Sequence, residues 1–244
     1  MRVLVTGSAD GLGHASADAL LAGGHQVVVH VRNEARQDAV SDLVRRGALV
    51  VVADLAHLDQ VHDLAGQVNA LGRMDAVIHN AGVGSGTTVP MVNVVAPYVL
   101  TAALARPSRL VYLSSGMHRG GSFSLRTVRW DQGRTVSYSD SKLYATALAM
   151  AVARLWPEVT SNAVDPGWVP TRMGGPGAPD DLVEGHLTQV WLATSDDPAA
   201  TSTGGYWHHL RREQAHRQAS DVGLQDALLT SLAGHTGVRL DRAR

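Results

Sequence analysis

Tyr138 and Lys142 stand four residues apart in a stretch of helical period, so their side chains share one helical face. A phenol with an ordinary pKa near 10 exchanges protons poorly at neutral pH. An ammonium beside it stabilises the phenolate and lowers that pKa. The pair therefore has the chemistry of a general acid/base. Lys142 is also the only lysine among the 21 Lys and Arg residues of the chain. An ammonium with three rotatable donors reaches a sugar hydroxyl in ways that the planar arginine fork does not. An accidental pairing on an amphipathic helix is a poor account of a chain with one lysine to place.

A second candidate is the loop Thr6-Gly7-Ser8-Ala9-Asp10-Gly11-Leu12-Gly13, between a short β-branched run and a helical pattern. Glycines permit unusual dihedrals and close backbone approach, and a helix N-terminus offers free N–H groups to an anion. A tight turn would use the same residues. Its place after the first strand of the chain favours a nucleotide diphosphate site. The spacing is not G-x-G-x-x-G, and no G-K-[ST] follows, which excludes a P-loop. The second β-branched run ends at Arg32, with no acid before Glu34. An acid there serves NAD, whereas an arginine accommodates a 2′-phosphate, so Arg32 favours NADP over NAD. A solvated strand-end arginine is the competing reading, and Asp10 in the loop weighs against NADP.

These residues need elements to hold them. The runs Val3–Val5, Gln26–Val31, Leu49–Val52, Ala76–His79, Leu110–Leu113, Val159–Val164 and one near Tyr206 are continuously apolar, as strands buried on both faces are. Helical periods lie between them. Leu12, Ala15, Ala19 and Leu20 share a face ahead of Gly23-Gly24; Asn33–Arg46, Leu58–Leu71 and Lys142–Trp156 read similarly. The alternation predicts an α/β fold: one doubly wound parallel sheet of about seven strands with helices on both faces, residues 1–244 forming a single domain. Ligands in such folds bind at the carboxyl ends of strands.

Further strand ends supply Asp54-Leu55, Asn80-Ala81-Gly82, Ser114-Ser115 and Pro166-Gly167-Trp168-Val169-Pro170-Thr171. At this point the chain resembles the short-chain dehydrogenase/reductase family. The resemblance rests on T-G-x-x-x-G-x-G at 6–13, D-L at 54–55, N-A-G at 80–82, S-S at 114–115, Y-x-x-x-K at 138–142 and P-G-x-V-x-T at 166–171. Each motif is weak alone; together they stand in the family's order over most of the chain. The Ser-Ser-Gly-Met-His stretch and its long run to Tyr138 are most similar to the retinol-dehydrogenase-like branch and its bacterial relatives.

The resemblance implies a Rossmann-type domain and hydride transfer between NADP(H) and a carbonyl/alcohol pair on a small molecule. It makes Tyr138 the general acid/base, Lys142 the ribose ligand that tunes it, Ser115 the donor to the substrate oxygen, and Asn93 the helix-kink asparagine that holds a water in the proton relay. Ser114 is the alternative to Ser115, with a structural role otherwise. Cofactor contacts fall to Gly7, Ser8, Gly11, Leu12, Gly13, Arg32, Asp54, Leu55, Asn80, Ala81, Gly82, Pro166, Gly167, Val169 and Thr171, besides Tyr138 and Lys142. Asp54 is expected to hold the adenine amino group, Asn80 to brace the sheet, and Val169 and Thr171 to meet the nicotinamide amide. A homodimer or tetramer is the family's habit. A cofactor-binding regulator of the same fold is the rival, and loss of Tyr or Lys would mark it. The extended epimerase branch would show T-G-x-x-G-x-x-G instead.

Composition limits the alternatives. The 244 residues are 45% hydrophobic and 18% charged, a globular balance. Acids number 22 against 21 Lys and Arg, for a net charge of −1, so no strong field is available to hold nucleic acid or an anionic membrane. With no cysteine, disulfides, thiolate metal sites and a cysteine nucleophile are excluded. No apolar stretch reaches the ~18 residues of a membrane span, and Met1-Arg2 leads directly into a strand, so a cytoplasmic location is expected. His208-His209 and His216 lack the companions of a metal site and read as surface histidines; no metal is expected.

Ala81–Val92 holds three glycines and a proline, against a long helix there. The stretch from Gly116 to Ser137, with Arg119, Arg126, Arg129, Arg134 and Trp130, is expected to frame the substrate pocket with the Gly/Pro-rich lid Arg172–Asp181. A last amphipathic helix carries Leu224, Leu228 and Leu232, ends at Gly234, and is expected near the substrate opening or a subunit partner.

Overall fold

A computed structural model describes residues 1–131 and 136–241. The strands are β1 (Arg2–Val5), β2 (Gln26–Val31), β3 (Leu49–Val52), β4 (Ala76–His79), β5 (Arg109–Leu113), β6 (Thr160–Asp165), β7 (Tyr206–His208) and β8 (Arg211–Glu213). They form one sheet of order β3-β2-β1-β4-β5-β6-β7-β8, parallel from β3 to β7. The eighth strand pairs antiparallel with β7. It lay outside the expected set because Arg211-Arg212-Glu213 is exposed along its whole length and carries no apolar signal. A charged edge of this kind discourages further strand pairing.

Continuous apolar runs are explained by two cores. Leu4, Val28, Val77, Leu110 and Tyr112 point to one face; Val3, Val5, Val27, Val29, Ile78 and Val111 point to the other. On the first lie α3 (Leu58–Ala70), α4 (Ala96–Ala103), α5 (Tyr138–Leu155) and α7 (Val222–Thr236), and on the second α1 (Gly11–Ala22) and α6 (Leu182–Thr194). The chain runs outward from β1 to β3, then returns to β4 on the other side of β1. The carboxyl ends of β1 and β4 are therefore the topological switch point, where a ligand crevice forms.

Several elements differ from the sequence reading. Residues 33–46 form a 3-10 helix, Glu34–Val40, and the short α2 (Ser41–Arg45), since only Val40 and Leu43 there are buried. Helix α6 was not anticipated; its start is capped by the Asp181 carboxylate, which accepts from Val183 N and Glu184 N. Helix α7 continues through Gly234 and stops at Gly237, whose φ of +71° is a left-handed cap.

The chain's own C-terminal region covers α4 and α5. Tyr98 Oη donates to Val238 O, Trp156 Nε1 to Asp241 O, and Trp130 Nε1 to Ser231 Oγ. Trp130 is thus anchored in the core rather than at a pocket rim, and Arg134 lies outside the described residues. No helix among the described residues is long and apolar enough to cross a membrane.

Candidate active site

The glycine loop follows β1 and enters α1. Gly7 and Gly11 have φ of +69° and +55°, which side chains rarely adopt. At Gly13 the constraint is space: a Cβ would overlap the Gly7 carbonyl oxygen and Asn80 Nδ2. Asn80, from the end of β4, donates through Nδ2 to Thr6 O and Gly7 O at 2.8 and 3.2 Å, and Thr6 Oγ1 accepts from Ala81 N. The two strand ends that flank the switch point are thereby tied together. The Asp10 side chain caps none of the first-turn N–H groups of α1. A glycine-rich loop beside a helix N-terminus suits a diphosphate.

His30 was not anticipated. Its Nδ1 accepts from Gly7 N at 3.0 Å and its Nε2 donates to Ala53 O at 2.8 Å, so a buried neutral imidazole splints the loop to the end of β3. Burial pushes its pKa down to about 4. Ser8 is buried, with Oγ donating to Val5 O and N–H to His30 O, so its side chain braces the loop from beneath. Arg32 is exposed at the tip of β2 and has no polar or charged partner among the described residues. Arg36 beside it pairs with Asp10 at 2.9 Å. Asp54 is partly exposed and accepts from Ala56 N, while Leu55 is buried in the core.

The acid/base pair opens α5. Ser137 and Asp140 form a capping box that fixes the first turn, the one Tyr138 begins. Lys142 is 4% exposed; its Nζ donates to Leu113 O at 2.8 Å and stands 5.5 Å from the Tyr138 ring centre. Burial lowers the ammonium to about 8, with the Asp165 charge opposing. Burial raises the Tyr138 phenol, the facing Ser115 hydroxyl opposes, and Asp165 adds to the rise. Ser114 is turned inward, bonded to Thr146 Oγ1 at 2.7 Å and to Lys142 O.

Residues 81–88 are free of helix, as their glycines predict, but helical turns begin at Val89 and pass through a π-turn, Met91–Val95, into α4. The π-turn carries Asn93, which is buried. Its Oδ1 accepts from Val83 N at 2.8 Å, and its Nδ2 donates to Val83 O and to Ser141 Oγ at 3.0 and 2.9 Å. A Cβ on Gly82 would meet both Asn93 Oδ1 and Lys142 Nζ, at 3.4 and 3.5 Å. Asn93, Gly82, Lys142, Tyr138 and Ser115 are thus brought to one side of the cleft.

The segment after β6 closes the other side. Gly167 has φ of +82°, and a Cβ there would meet Asp180 Oδ2 and His209 Nε2. Trp168 N donates to Asp180 Oδ2 and Trp168 Nε1 to Gly174 O, giving the glycine-rich stretch a fixed shape. Val169 and Leu12 both pack on Gly185 of α6, and the Thr171 methyl lies 3.0 Å from where a Gly11 Cβ would be. His208 and His209 stack at 3.8 Å beneath this segment and are partly buried. Among the described residues no group of three or more His, Cys, Asp and Glu is arranged to hold a metal ion.

Comparison with known proteins gives consistent matches. The family model for short chain dehydrogenases matches residues 1–106. The short-chain dehydrogenase chry4 of Gibberella zeae is 35% identical, over 98% of this chain and 98% of its own length. Retinol dehydrogenase 14 of Mus musculus is 28% identical, over 90% of this chain and 80% of its own. The crystal structure of a blue fluorescent protein from a metagenomic library, in complex with NADPH, superposes with a TM-score of 0.70 at 21% identity, over 85% of this chain and 95% of that one.

Proposed function

The chain belongs to the short-chain dehydrogenase family, and on that premise we propose that it is an NADP(H)-dependent oxidoreductase interconverting a carbonyl and an alcohol on a small organic substrate. The observation that carries this is the setting of Lys142. The chain's one lysine is buried, held by the Leu113 carbonyl, and poised over the ring of a phenol that Ser115 faces.

The residues present fit the cofactor: Gly7, Gly11 and Gly13 let the loop backbone pack closely on Ala81, Thr171 and Asn80 beside the N-terminus of α1, whose free N–H groups suit a diphosphate. Residues 7–13, 80–82 and 166–171 would hold it, with Asp54 and Leu55 toward the adenine. The preference for NADP rests on Arg32, and the NADPH in the similar solved structure is in keeping with it. When bound, a nicotinamide supplies or takes the hydride at carbon.

The chain's own residues handle the oxygen. Ser115 and Tyr138 donate to a carbonyl oxygen from one side of the cleft. As charge develops on that oxygen, the Tyr138 O–H bond breaks and its proton passes to it. Lys142 stabilises the phenolate left behind and offers its remaining donors to a ribose hydroxyl. Asn93 ties the Val83 backbone to Ser141 and so keeps the first turn of α5 in place.

The test is a titration of NADPH and NADH against wild type and Arg32→Ala, followed by a carbonyl-reduction screen with Tyr138→Phe as control. Tighter NADPH binding that Arg32→Ala equalises, with reduction lost in Tyr138→Phe, upholds the reading. Equal binding of the two overturns the preference for NADP, and binding of neither overturns the whole.

A further inference from the structure

Three large apolar side chains stand exposed at the mouth of the cleft. Of the five tryptophans, Trp130, Trp156 and Trp207 are buried and Trp191 packs against Trp207, whereas Trp168 is 60% exposed. Met117 is 58% exposed and Met173 51%. Single apolar residues scattered over a surface are ordinary, but several gathered at one cleft mark a binding surface.

Their places follow from the strand ends. Met117 N donates to Ser115 Oγ at 3.2 Å, so Met117 belongs to the turn that carries the Ser115 hydroxyl. That turn lies beside the segment after β6, because the buried Asp165 side chain touches both. Its Oδ1 accepts from Gly167 N at 3.0 Å, and its Oδ2 lies 3.0 Å from where a Gly116 Cβ would be. Tyr206 Oη donates to the same Oδ2 at 3.1 Å, and His118 packs on the Tyr206 ring at 4.4 Å, so β7 braces the turn. Met117 and Trp168 are the residues that follow Gly116 and Gly167. From Trp168 the chain reaches the loop after β4: Met173 Cγ lies 3.4 Å from where a Gly84 Cβ would be, and Gly82 of that loop borders Lys142 Nζ. Met117, Trp168 and Met173 thus flank the opening that leads to Ser115 and Tyr138.

Trp168 is held as a platform. Its Nε1 donates to Gly174 O at 2.8 Å, and a Gly174 Cβ would stand 3.3 Å from its Cδ1. The one polar atom of the indole is therefore committed to the loop, and what remains exposed is apolar ring. Thioethers adapt to irregular shapes and make favourable contacts with aromatic rings. The charges nearest the platform are engaged: Asp180 accepts from Trp168 N, Asp165 from Gly167 and Tyr206, and Arg119 pairs with Glu213.

We propose that the substrate is an aromatic carbonyl whose ring lies on the Trp168 indole between Met117 and Met173, while its oxygen meets Ser115 and Tyr138. The inference rests on the oxidoreductase reading for its reaction, but binding of the ring is measurable without turnover.

Acetophenone and cyclohexyl methyl ketone are nearly equal in size and differ in ring character. Reductive kcat/KM for each is measured with NADPH in wild type, Trp168→Leu and Trp168→Phe. The ratio of acetophenone to cyclohexyl methyl ketone is expected to fall roughly fivefold in Trp168→Leu, which keeps apolar bulk and loses the π face. It should stay within about twofold in Trp168→Phe, which keeps a ring and loses the N–H tether. A ratio unmoved in Trp168→Leu overturns the proposal. So does an equal fall in Trp168→Phe, since the tether to Gly174 and not the ring would then carry the effect. Binding is read separately, without cofactor, from the emission of dimethylamino-acetylnaphthalene, an aryl ketone whose fluorescence shifts blue in apolar surroundings. Should wild type reduce neither ketone, a blue shift whose affinity weakens roughly fivefold in Trp168→Leu defeats the reductase reading and leaves the ring site standing. No turnover and no shift overturn both.

Discussion

The two sides of the cleft are built from different materials. Toward β1 and β2 the site is backbone: Gly7, Gly11 and Gly13, the free turn of α1, an amide from Asn80, and one histidine kept neutral by burial. The charged groups there, Asp10, Arg32 and Arg36, sit outside at the rim. Toward β5, β6 and β7 the site is side chains that can exchange a proton or carry a charge: Tyr138, Lys142, Asp165, Tyr206 and His118, all wholly or partly buried. The difference follows from the task. Gripping an anion needs N–H groups at fixed directions and room for close approach. Moving a proton needs groups whose two protonation states lie close in free energy, which burial and neighbouring charges arrange. The first side should be intolerant of added atoms and the second of changed charge.

Gly13→Ala is the strongest test of the first side. Its methyl would displace Gly7, Asn80 or α1, an overpacking cost of about 3 kcal/mol. Cofactor binding should fall below detection and the melting temperature should drop with it. Gly86→Ala, at a position with open space around it, should leave binding within about twofold despite the strain of its positive φ. Equal binding by the two variants would mean that the loop does not approach the cofactor. On the second side, Tyr138→Phe removes the proton and keeps the ring. Turnover should fall by about 10³-fold while NADPH binding stays within about twofold, as read by stopped-flow and fluorescence titration. A matching loss of affinity would erase the distinction between the sides.

How much of this was legible in the sequence divides along the same line. The seven parallel strands, their order of appearance and the backbone cradle were readable, because glycine spacing and continuous apolar runs are written locally. Tyr138 and Lys142 were readable because four residues on a helix fix a shared face. His30 and Asp165 were not singled out, although both stand next to motifs that were. What makes His30 a splint is the end of β3, 23 residues away, and what surrounds Asp165 comes from three other elements. The π-turn that carries Asn93 likewise depends on its side-chain bonds to Val83 and Ser141 more than on local propensity. Contacts made only by the tertiary fold leave no periodic signal.

Acidification probes the neutral histidine of the first side. Above the ordinary value of 6.5, His30 is neutral both folded and unfolded and pH has no hold on it. Below 6.5 the unfolded chain takes a proton that the folded chain refuses until about 4, so stability is full above 6.5 and is lost as pH falls toward 4. The loss from His30 amounts to about 3 kcal/mol. His79, pushed down to about 3 by burial, acts in the same sense. His30→Gln should flatten the decline in unfolding free energy across this window by up to one proton, measured by urea denaturation at successive pH values. An unchanged slope would show that His30 is not held neutral.

Arg32→Ala carries the smallest expected effect and the finest distinction. The guanidinium is exposed and has no partner among the described residues, whereas its neighbour Arg36 is occupied by Asp10. An exposed arginine meeting a phosphate gains charge-assisted hydrogen bonds, but solvent screens them. NADPH affinity should therefore fall only roughly tenfold, with NADH affinity unchanged and the effect shrinking in high salt. Arg36→Ala should do less, because Arg36 is already committed to Asp10 rather than free to meet a phosphate. If Arg36→Ala proved the more damaging of the two, the phosphate would be read at the glycine loop, and the rim of the first side would belong to α1 rather than to the tip of β2.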